Sequence, residues 1–197
     1  MPRPSQEVKI LAAALACFAE YGYDATRIRA IAERAAVSEG ALYRHYPSKE
    51  AIASALYRQH LQHLSDRLVQ VAALGGTPEA QLRAIVAVAL NSYRENPAAF
   101  TFVVLRQSTL MPLLVRDIDY PLDLIERMVR AWQPTGTIRA GQPNLLAAIL
   151  LGCVLRPIIV SQLAQPGALD LLHDHQHDQV ISDAAWAALR AEHRSTT

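Results

Sequence analysis

The stretch that most constrains this chain runs over 26–51, TRIRAIAERAAVSEGALYRHYPSKEA. Its spacing predicts two short helices, a tight turn and the start of a third helix. Ile28, Ile31, Ala32 and Ala35 recur at i, i+3, i+4 and i+7, which places them on one buried helical face. Thr26 is expected to cap that helix, its hydroxyl accepting an orphan backbone N–H. Ala35, Ala36 and Val37 are small and apolar, so two helices can approach closely at the turn. Ser38 can cap the next helix, expected from Glu39 to about His45. Pro47 ends it, because the residue before a proline is pushed out of the α region. Ser48 can then cap a long helix. Two helices joined by a turn of three or four residues form a helix-turn-helix.

In such a motif the second helix is the one that enters a DNA major groove. Arg27 and Arg29 fall in the first turn of the first helix, where the helix dipole disfavours cations and favours anions. A phosphate there would meet both free N–H groups and the arginines. Tyr43, Arg44, His45, Tyr46 and Lys49 extend the same basic, hydrogen-bonding surface. The competing reading is a solvated helix pair in an all-α enzyme, since the motif is geometric and fold alone does not fix function.

The string AAVSEGALYRHYPSKEAI resembles the recognition helix and the start of the fourth helix of the tetracycline-repressor (TetR) family of bacterial transcriptional regulators. Gly40, the Leu42-Tyr43 pair, the aromatic Tyr46 and the run Ser48-Lys49-Glu50 carry that resemblance. Upstream, ILAAALACFAEYGYDATRIRAIAERA is similar to the family's first two helices, including Phe18 and Tyr21-Gly22-Tyr23. The specific part covers about Ile10 to Leu56, with Tyr46 standing where the family more often has phenylalanine. The resemblance implies an all-α protein. Residues 1–50 would form a three-helix helix-turn-helix domain. A long helix would join it to a helical ligand-binding and dimerisation domain over 51–197. It also implies a homodimer built through the last two long helices, double-stranded operator DNA and a small-molecule effector as partners, and no cofactor.

Charge has to act locally here. The 197 residues carry a net charge of only +1, and residues 1 to 50 hold seven cations against six anions. A modest phosphate count follows, and with it a moderate salt dependence. The chain is 51% hydrophobic and 19% charged, enough for a substantial core and too little charge for a disordered chain. Cys17 and Cys153 are too few and too far apart for a disulfide framework or a zinc site. No signal peptide is read at the N-terminus. The most apolar run, Leu145 to Val160, contains Arg156 and Pro157 and falls short of the ~20 residues a membrane span needs. A cytoplasmic protein that does not enter a membrane is therefore expected.

In chain order, Met1 to Gln6 reads as a flexible arm. A first helix reaches Tyr21 with Val8, Leu11, Leu15 and Phe18 as its stripe, and Gly22 sits at its C-cap. The helix after Ser48 should reach about Ala73. Its apolar stripe changes face, from Ile52 and Leu56 to Tyr57, Leu61, Leu64, Leu68 and Val71, as expected of a helix that packs against two cores in succession. Thr77-Pro78 and Asn96-Pro97 each place a cap before a proline and start new helices, the second ending around Met111-Pro112. Further helices are expected near Asp119 to Trp132, over about Pro143 to Leu163 and within Asp178 to Arg190. A loop covers Gln133 to Pro143, and Gln165-Pro166-Gly167 is a break. The Pro143 helix is apolar nearly all round, which predicts burial on every side, by the domain core and by a second subunit.

Three groups of residues bear on chemistry beyond the motif. An effector pocket, mostly apolar with a few placed polar groups, would draw on Tyr93, Phe100, Val103, Leu105, Arg106, Tyr120, Met128, Trp132, Cys153 and Arg156, each apolar member of which could equally be plain core. Arg156 is expected to be buried, paired with Asp119, Asp123 or Glu126 or meeting an anionic ligand. The run His173-Asp174-His175-Gln176-His177-Asp178 is rich in metal-ligand types, yet it falls where a solvated loop is expected. His60 and His63 are i, i+3 neighbours with no third ligand suggested nearby.

Function follows the motif. The leading reading is a sequence-specific regulator, a repressor released from a palindromic operator by a ligand, and not an enzyme. The alternatives are a regulator controlled by a partner protein and an all-α metal hydrolase built on the histidine run, the last of which leaves 26–51 unexplained. For DNA, Thr26, Arg27 and Lys49, with Tyr46, are expected at the backbone. Ser38, Glu39, Gly40, Ala41, Tyr43, Arg44 and His45 are expected to face the groove, Gly40 permitting close approach. Arg44→Ala should then relax sequence preference, and Lys49→Ala should weaken binding to all sequences.

Overall fold

The computed structural model describes residues 5–105, 120–162 and 169–192. Among them the architecture is all-α, as expected. The helices are α1 (Gln6–Tyr21), α2 (Ile28–Ala35), α3 (Glu39–His45), α4 (Lys49–Ala73), α5 (Pro78–Glu95), α6 (Pro97–Phe100), α7 (Pro121–Trp132), α8 (Pro143–Ser161) and α9 (Asp178–Leu189). A π-helical turn, Thr101–Leu105, follows α6, and a 3₁₀ turn, Gln133–Thr135, follows α7. The polypeptide divides into two compact units. The described residues of the first are 5–62 and 96–105; those of the second are 63–95, 120–162 and 169–192. Arg106, Asp119, the expected helix end near Met111-Pro112 and the break at Gln165-Pro166-Gly167 lie outside the described residues.

Local chemistry sets most helix starts. The Ser5 hydroxyl accepts the Val8 N–H at 3.3 Å, Ser38 that of Ala41 at 3.1 Å, Ser48 that of Ala51 at 3.2 Å and Thr77 that of Ala80 at 3.2 Å. The Asn96 side chain accepts the Ala99 N–H at 2.9 Å, with Pro97 at the first helical position. Thr26 departs from this pattern. The cap of α2 is Arg27, which makes no side-chain cap bond. The Thr26 side chain turns inward instead, because α1 leaves carbonyls there that need a donor: its hydroxyl lies 2.6 Å from the Gly22 oxygen and 3.2 Å from that of Cys17.

In the first unit α1 packs on α2, and α2 on α3. Ile10, Ala14, Phe18, Ile31, Ala32, Leu42, Ile52 and Leu56 form the core. Gly22 closes α1 at φ 81°, ψ 160°, a region essentially restricted to glycine. α2 ends at Ala36, which adopts φ 54°, ψ 46° and donates to the Glu33 carbonyl at 3.1 Å, while Val37 donates to that of Ala32 at 3.0 Å. An alanine in this left-handed conformation costs about 1–2 kcal/mol. The two bonds it permits turn the chain sharply enough to launch α3. The segment after α5 belongs to this unit too: α6 and the π turn pack on α1, and Phe102 stacks on Phe18 with ring centroids 5.6 Å apart.

In the second unit α7 and α9 both pack on α8, and α9 also packs on α5. Leu82, Ile85, Leu90, Ile125, Val129, Leu150, Ile158 and Leu189 are fully covered or nearly so. Arg67 on α4 donates to Ser92 and Glu95 on α5, at 3.1 and 2.7 Å. An antiparallel bridge joins Ile138 to Arg190, giving the loop after α7 a fixed partner at the end of α9. α4 buries Ile52 and Leu56, then Tyr57, Leu61, Leu64, Leu68 and Val71, the change of face read from its spacing.

The membrane-span expectation for α8 needs correction, and so does the burial of Arg156 within the chain. The helix is long and apolar enough to cross a membrane by length and composition, with mean hydropathy 2.0. It runs on through Pro157, and one arginine does not lower the average enough to exclude a span. Nor is it buried on every side within the chain. Leu146, Ala147, Leu150, Val154 and Ile158 face the core, whereas Leu145 is 56% exposed, and Ile149, Gly152 and Arg156 on the same side are exposed as well. Arg156 is therefore not a buried cation.

Candidate nucleic-acid interface

α3 has only two turns, and its inner side is fixed by Leu42, which is fully buried. Ala41 and Tyr46 are buried beside it, so they do not present the groove-facing and backbone-facing side chains expected of them. Tyr46 donates its hydroxyl proton to Glu7 Oε1 at 3.0 Å, and burial together with that bond pushes its pKa up to about 12. Its backbone is extended, as a residue before proline should be. The opposite side of α3 is open. Glu39, Gly40, Tyr43, Arg44 and His45 are exposed, Tyr43 by 48%, and Ser38 is exposed at the cap. His45 Nε2 lies 3.4 Å from Gln6 Oε1. A Cβ added at Gly40 would meet nothing within 4 Å.

The cations divide by how they are engaged. Arg29 pairs with Glu33 at 2.8 Å, both side chains exposed. Arg34 pairs with Glu20 at 2.7 Å and reaches the Cys17 sulfur at 3.6 Å. Among the described residues, the side chains of Arg27 and Arg44 make no ion pair and no hydrogen bond within the chain, and both residues are exposed. Lys49 was expected to reach a phosphate. It is half-buried, and its ammonium donates to the carbonyls of Tyr23, Asp24 and Thr26 at 2.9, 3.1 and 3.1 Å. These partners lie 23 to 26 residues away, so no local pattern signals them. Tyr23 donates to Glu50 at 3.3 Å, and burial with the Glu50 charge raises its pKa to about 12.

Of the residues expected to form an effector pocket, Tyr93, Met128 and Trp132 are buried in the second unit and Phe100 and Val103 in the first. Trp132 donates its indole N–H to Gln81 at 2.6 Å, the partner a buried indole requires. Tyr120 and Cys153 are half-buried, and burial raises the Cys153 thiol. Arg106 lies outside the described residues, as does the side chain of Leu105.

The histidine run is organised around Arg94 rather than around a metal. Arg94 donates to the Leu171 carbonyl at 2.9 Å, the Asp174 carbonyl at 3.2 Å and both Asp178 oxygens at 2.8 and 2.5 Å. The imidazoles of His173, His175 and His177 face Asp170, Asp178 and Asp174, at 3.0, 3.5 and 3.9 Å. Each ring thus has its own carboxylate. Among the described residues no group of three or more His, Cys, Asp or Glu is placed to hold a metal ion.

A short open helix behind a tight turn, with ungrouped cations beside it and a glycine at its surface, defines a helix-turn-helix DNA-binding protein. Residues 10–56 match the model of bacterial regulatory proteins, tetR family. The chain is 28% identical over 151 residues to the uncharacterized HTH-type transcriptional regulator Rv2250c of Mycobacterium tuberculosis, covering 73% of this chain and 75% of that one. It is 39% identical over 90 residues to the HTH-type transcriptional repressor KstR of Mycolicibacterium smegmatis, 45% of this chain and 44% of the relative. SmeT, the repressor of the Stenotrophomonas maltophilia multidrug efflux pump SmeDEF, superimposes with a TM-score of 0.73 at 25% identity over 97% and 93% of the two chains. A tetR-family regulatory protein from Rhodococcus RHA1 superimposes with a TM-score of 0.75 at 18% identity over 96% and 100%. Residues 10–56 carry the DNA-binding region of the tetR family, and the chain is a DNA-binding transcriptional regulator rather than an enzyme. Regulators of this family bind DNA operators and small-molecule effectors and are typically dimers.

Proposed function

We propose that this protein is a cytoplasmic repressor that holds a palindromic operator as a homodimer and is released by a small-molecule effector. The open face of α3 carries the reading: Gly40, Tyr43, Arg44 and His45 are exposed, with Arg27, whose side chain has no ion pair among the described residues, at the head of α2 to meet the phosphate backbone. The repressors KstR and SmeT among its relatives support the sign. The DNA-binding elements lie in residues 1–50 and the effector and dimer elements within 51–197, while the compact unit that holds α1–α3 also takes in the start of α4 and residues 96–105. The outward side of α8, with Leu145 and Ile149, and that of α9, with Val180 at 64% exposure, supply an apolar surface for a second copy. Two recognition helices about 34–36 Å apart then read successive major grooves. Ligand acts through α4, which runs from one compact unit into the other, with a coupling of about 1–3 kcal/mol. Tyr93, Met128 and Trp132 are the described candidates for the effector site in the second unit.

A mobility shift tests this, with DNA flanking the coding region at fixed salt, using wild type and Tyr43→Ala. A shift present in wild type and lost in the variant supports sequence-specific binding through α3. Failure of wild type to bind even a randomised DNA pool refutes it.

A further inference from the structure

We propose that Lys49 is a positioning residue for DNA binding, locking the 23–26 loop onto the first turn of α4 and so fixing where α2 and Arg27 begin, rather than a phosphate ligand. The inference rests on the DNA-binding reading above. A lysine ammonium has three N–H donors and no acceptor. Here all three are used, on carbonyls of Tyr23, Asp24 and Thr26 that converge from one short loop at 2.9, 3.1 and 3.1 Å. The ammonium also lies 4.6 Å from the centroid of the Tyr23 ring, within cation–π range.

A phosphate oxygen could be bound only by turning one ammonium N–H away from one of these carbonyls. The loop is held from its other side as well. Thr26 turns its hydroxyl to the Gly22 and Cys17 carbonyls, Tyr23 packs on Phe18 with centroids 5.3 Å apart, and the Tyr23 hydroxyl donates to Glu50 beside Lys49. The Thr26 carbonyl that Lys49 grips is the peptide preceding Arg27, the N-cap of α2. A shift of the α4 start is thereby passed to the first turn of α2, without any residue of the effector domain touching DNA.

Lys49→Arg separates the two roles. Arginine keeps the charge and would serve a phosphate at least as well, but its planar fork cannot aim three protons at three convergent carbonyls. Positioning predicts that Lys49→Arg and Lys49→Gln both weaken operator binding by roughly tenfold, the scale of one charged hydrogen bond, and both speed amide exchange over 24–28. A phosphate contact predicts wild-type binding for Lys49→Arg and a salt slope lower by about 0.9 for Lys49→Gln; that pattern overturns the proposal.

Wild-type protein supplies a check that needs no variant to fold. The chain has two lysines, Lys9 and Lys49. Acetylation followed by mass spectrometry should modify Lys49 far more slowly than exposed Lys9 in the DNA-free protein. Equal rates overturn the positioning role. If wild type binds no DNA, the regulator reading itself falls and this proposal with it, whereas wild-type binding with a fully active Lys49→Arg refutes the proposal alone.

Discussion

Gly40→Ala should make the protein more stable and its operator complex weaker. Gly40 is the second residue of α3, has helical backbone and is exposed. An added Cβ would meet nothing within 4 Å, so no steric cost offsets the gain. Alanine is favoured over glycine in a helix by about 0.8–1 kcal/mol, and in a chain of this size about 1 kcal/mol raises Tm by roughly 2–4 °C. The binding effect has the opposite sign. If Gly40 lets α3 lie close against the groove, the methyl group meets the DNA. Overfilling a fitted contact costs about 1–3 kcal/mol, a loss of roughly five- to 150-fold in affinity. Thermal melting and a fluorescence-anisotropy titration on operator DNA at one salt concentration measure the two effects independently. Wild-type affinity in a stabilised variant would show that the surface glycine has nothing to do with groove approach. A destabilised variant would refute the account of the local space.

Gly22→Ala should destabilise by about 1–3 kcal/mol, because φ 81°, ψ 160° lies where a Cβ is strained, and a urea melt would register it as a lower midpoint at unchanged slope. Arg94→Met should cost about 3 kcal/mol near neutral pH, since the guanidinium side chain is only 9% exposed and its loss strands Asp178 and two carbonyls. The hydrogen bonds from Arg94 hold the Asp178 pKa below its usual value. The stabilisation from that shift is therefore complete above the ordinary carboxylate pKa and lost as pH falls through the depressed folded value. The gap between wild type and variant should narrow in denaturant melts taken at progressively lower acid pH, leaving the share due to the two carbonyls, and a constant gap would refute the linkage. Arg44→Ala should cost about 1–3 kcal/mol on the cognate site and relax discrimination at one base position. Arg27→Ala should instead weaken all sequences and lower the salt slope by about 0.9; identical profiles for the two would erase the distinction between groove and backbone.

What could be read from the sequence was what depends on near neighbours. Ser38, Ser48, Thr77 and Asn96 cap their helices because each needs only an N–H three residues ahead. Thr26 has the same chemistry and failed, because the end of α1 brought carbonyls closer to its hydroxyl than any N–H of α2. Lys49 looked like a surface cation for a related reason: its acceptors lie more than twenty residues back, on a loop whose path is set by Gly22 and the α1–α2 packing. α3 is too short for periodicity to say which side is inward. Only Leu42, packed into the domain, assigns Ala41 and Tyr46 to the core and leaves Tyr43, Arg44 and His45 outside.

α8 shows the same limit from the other direction. A helix apolar all round reads as buried all round, and that assumption made Arg156 a buried charge in need of a partner. Burial depends on what surrounds a helix, however, and one chain surrounds only one side of α8. The residues left over are not scattered: Leu145, Ile149 and Gly152 follow helical spacing to Arg156, and Val180 and Ala184 do the same on α9. Scattered exposed apolar side chains need no explanation, but a row of them on packed neighbouring helices does. A second copy laid on α8 and α9 would cover that row and set Arg156 at its edge. The apolar composition that makes α8 long and hydrophobic enough to cross a membrane would then have a protein surface to meet.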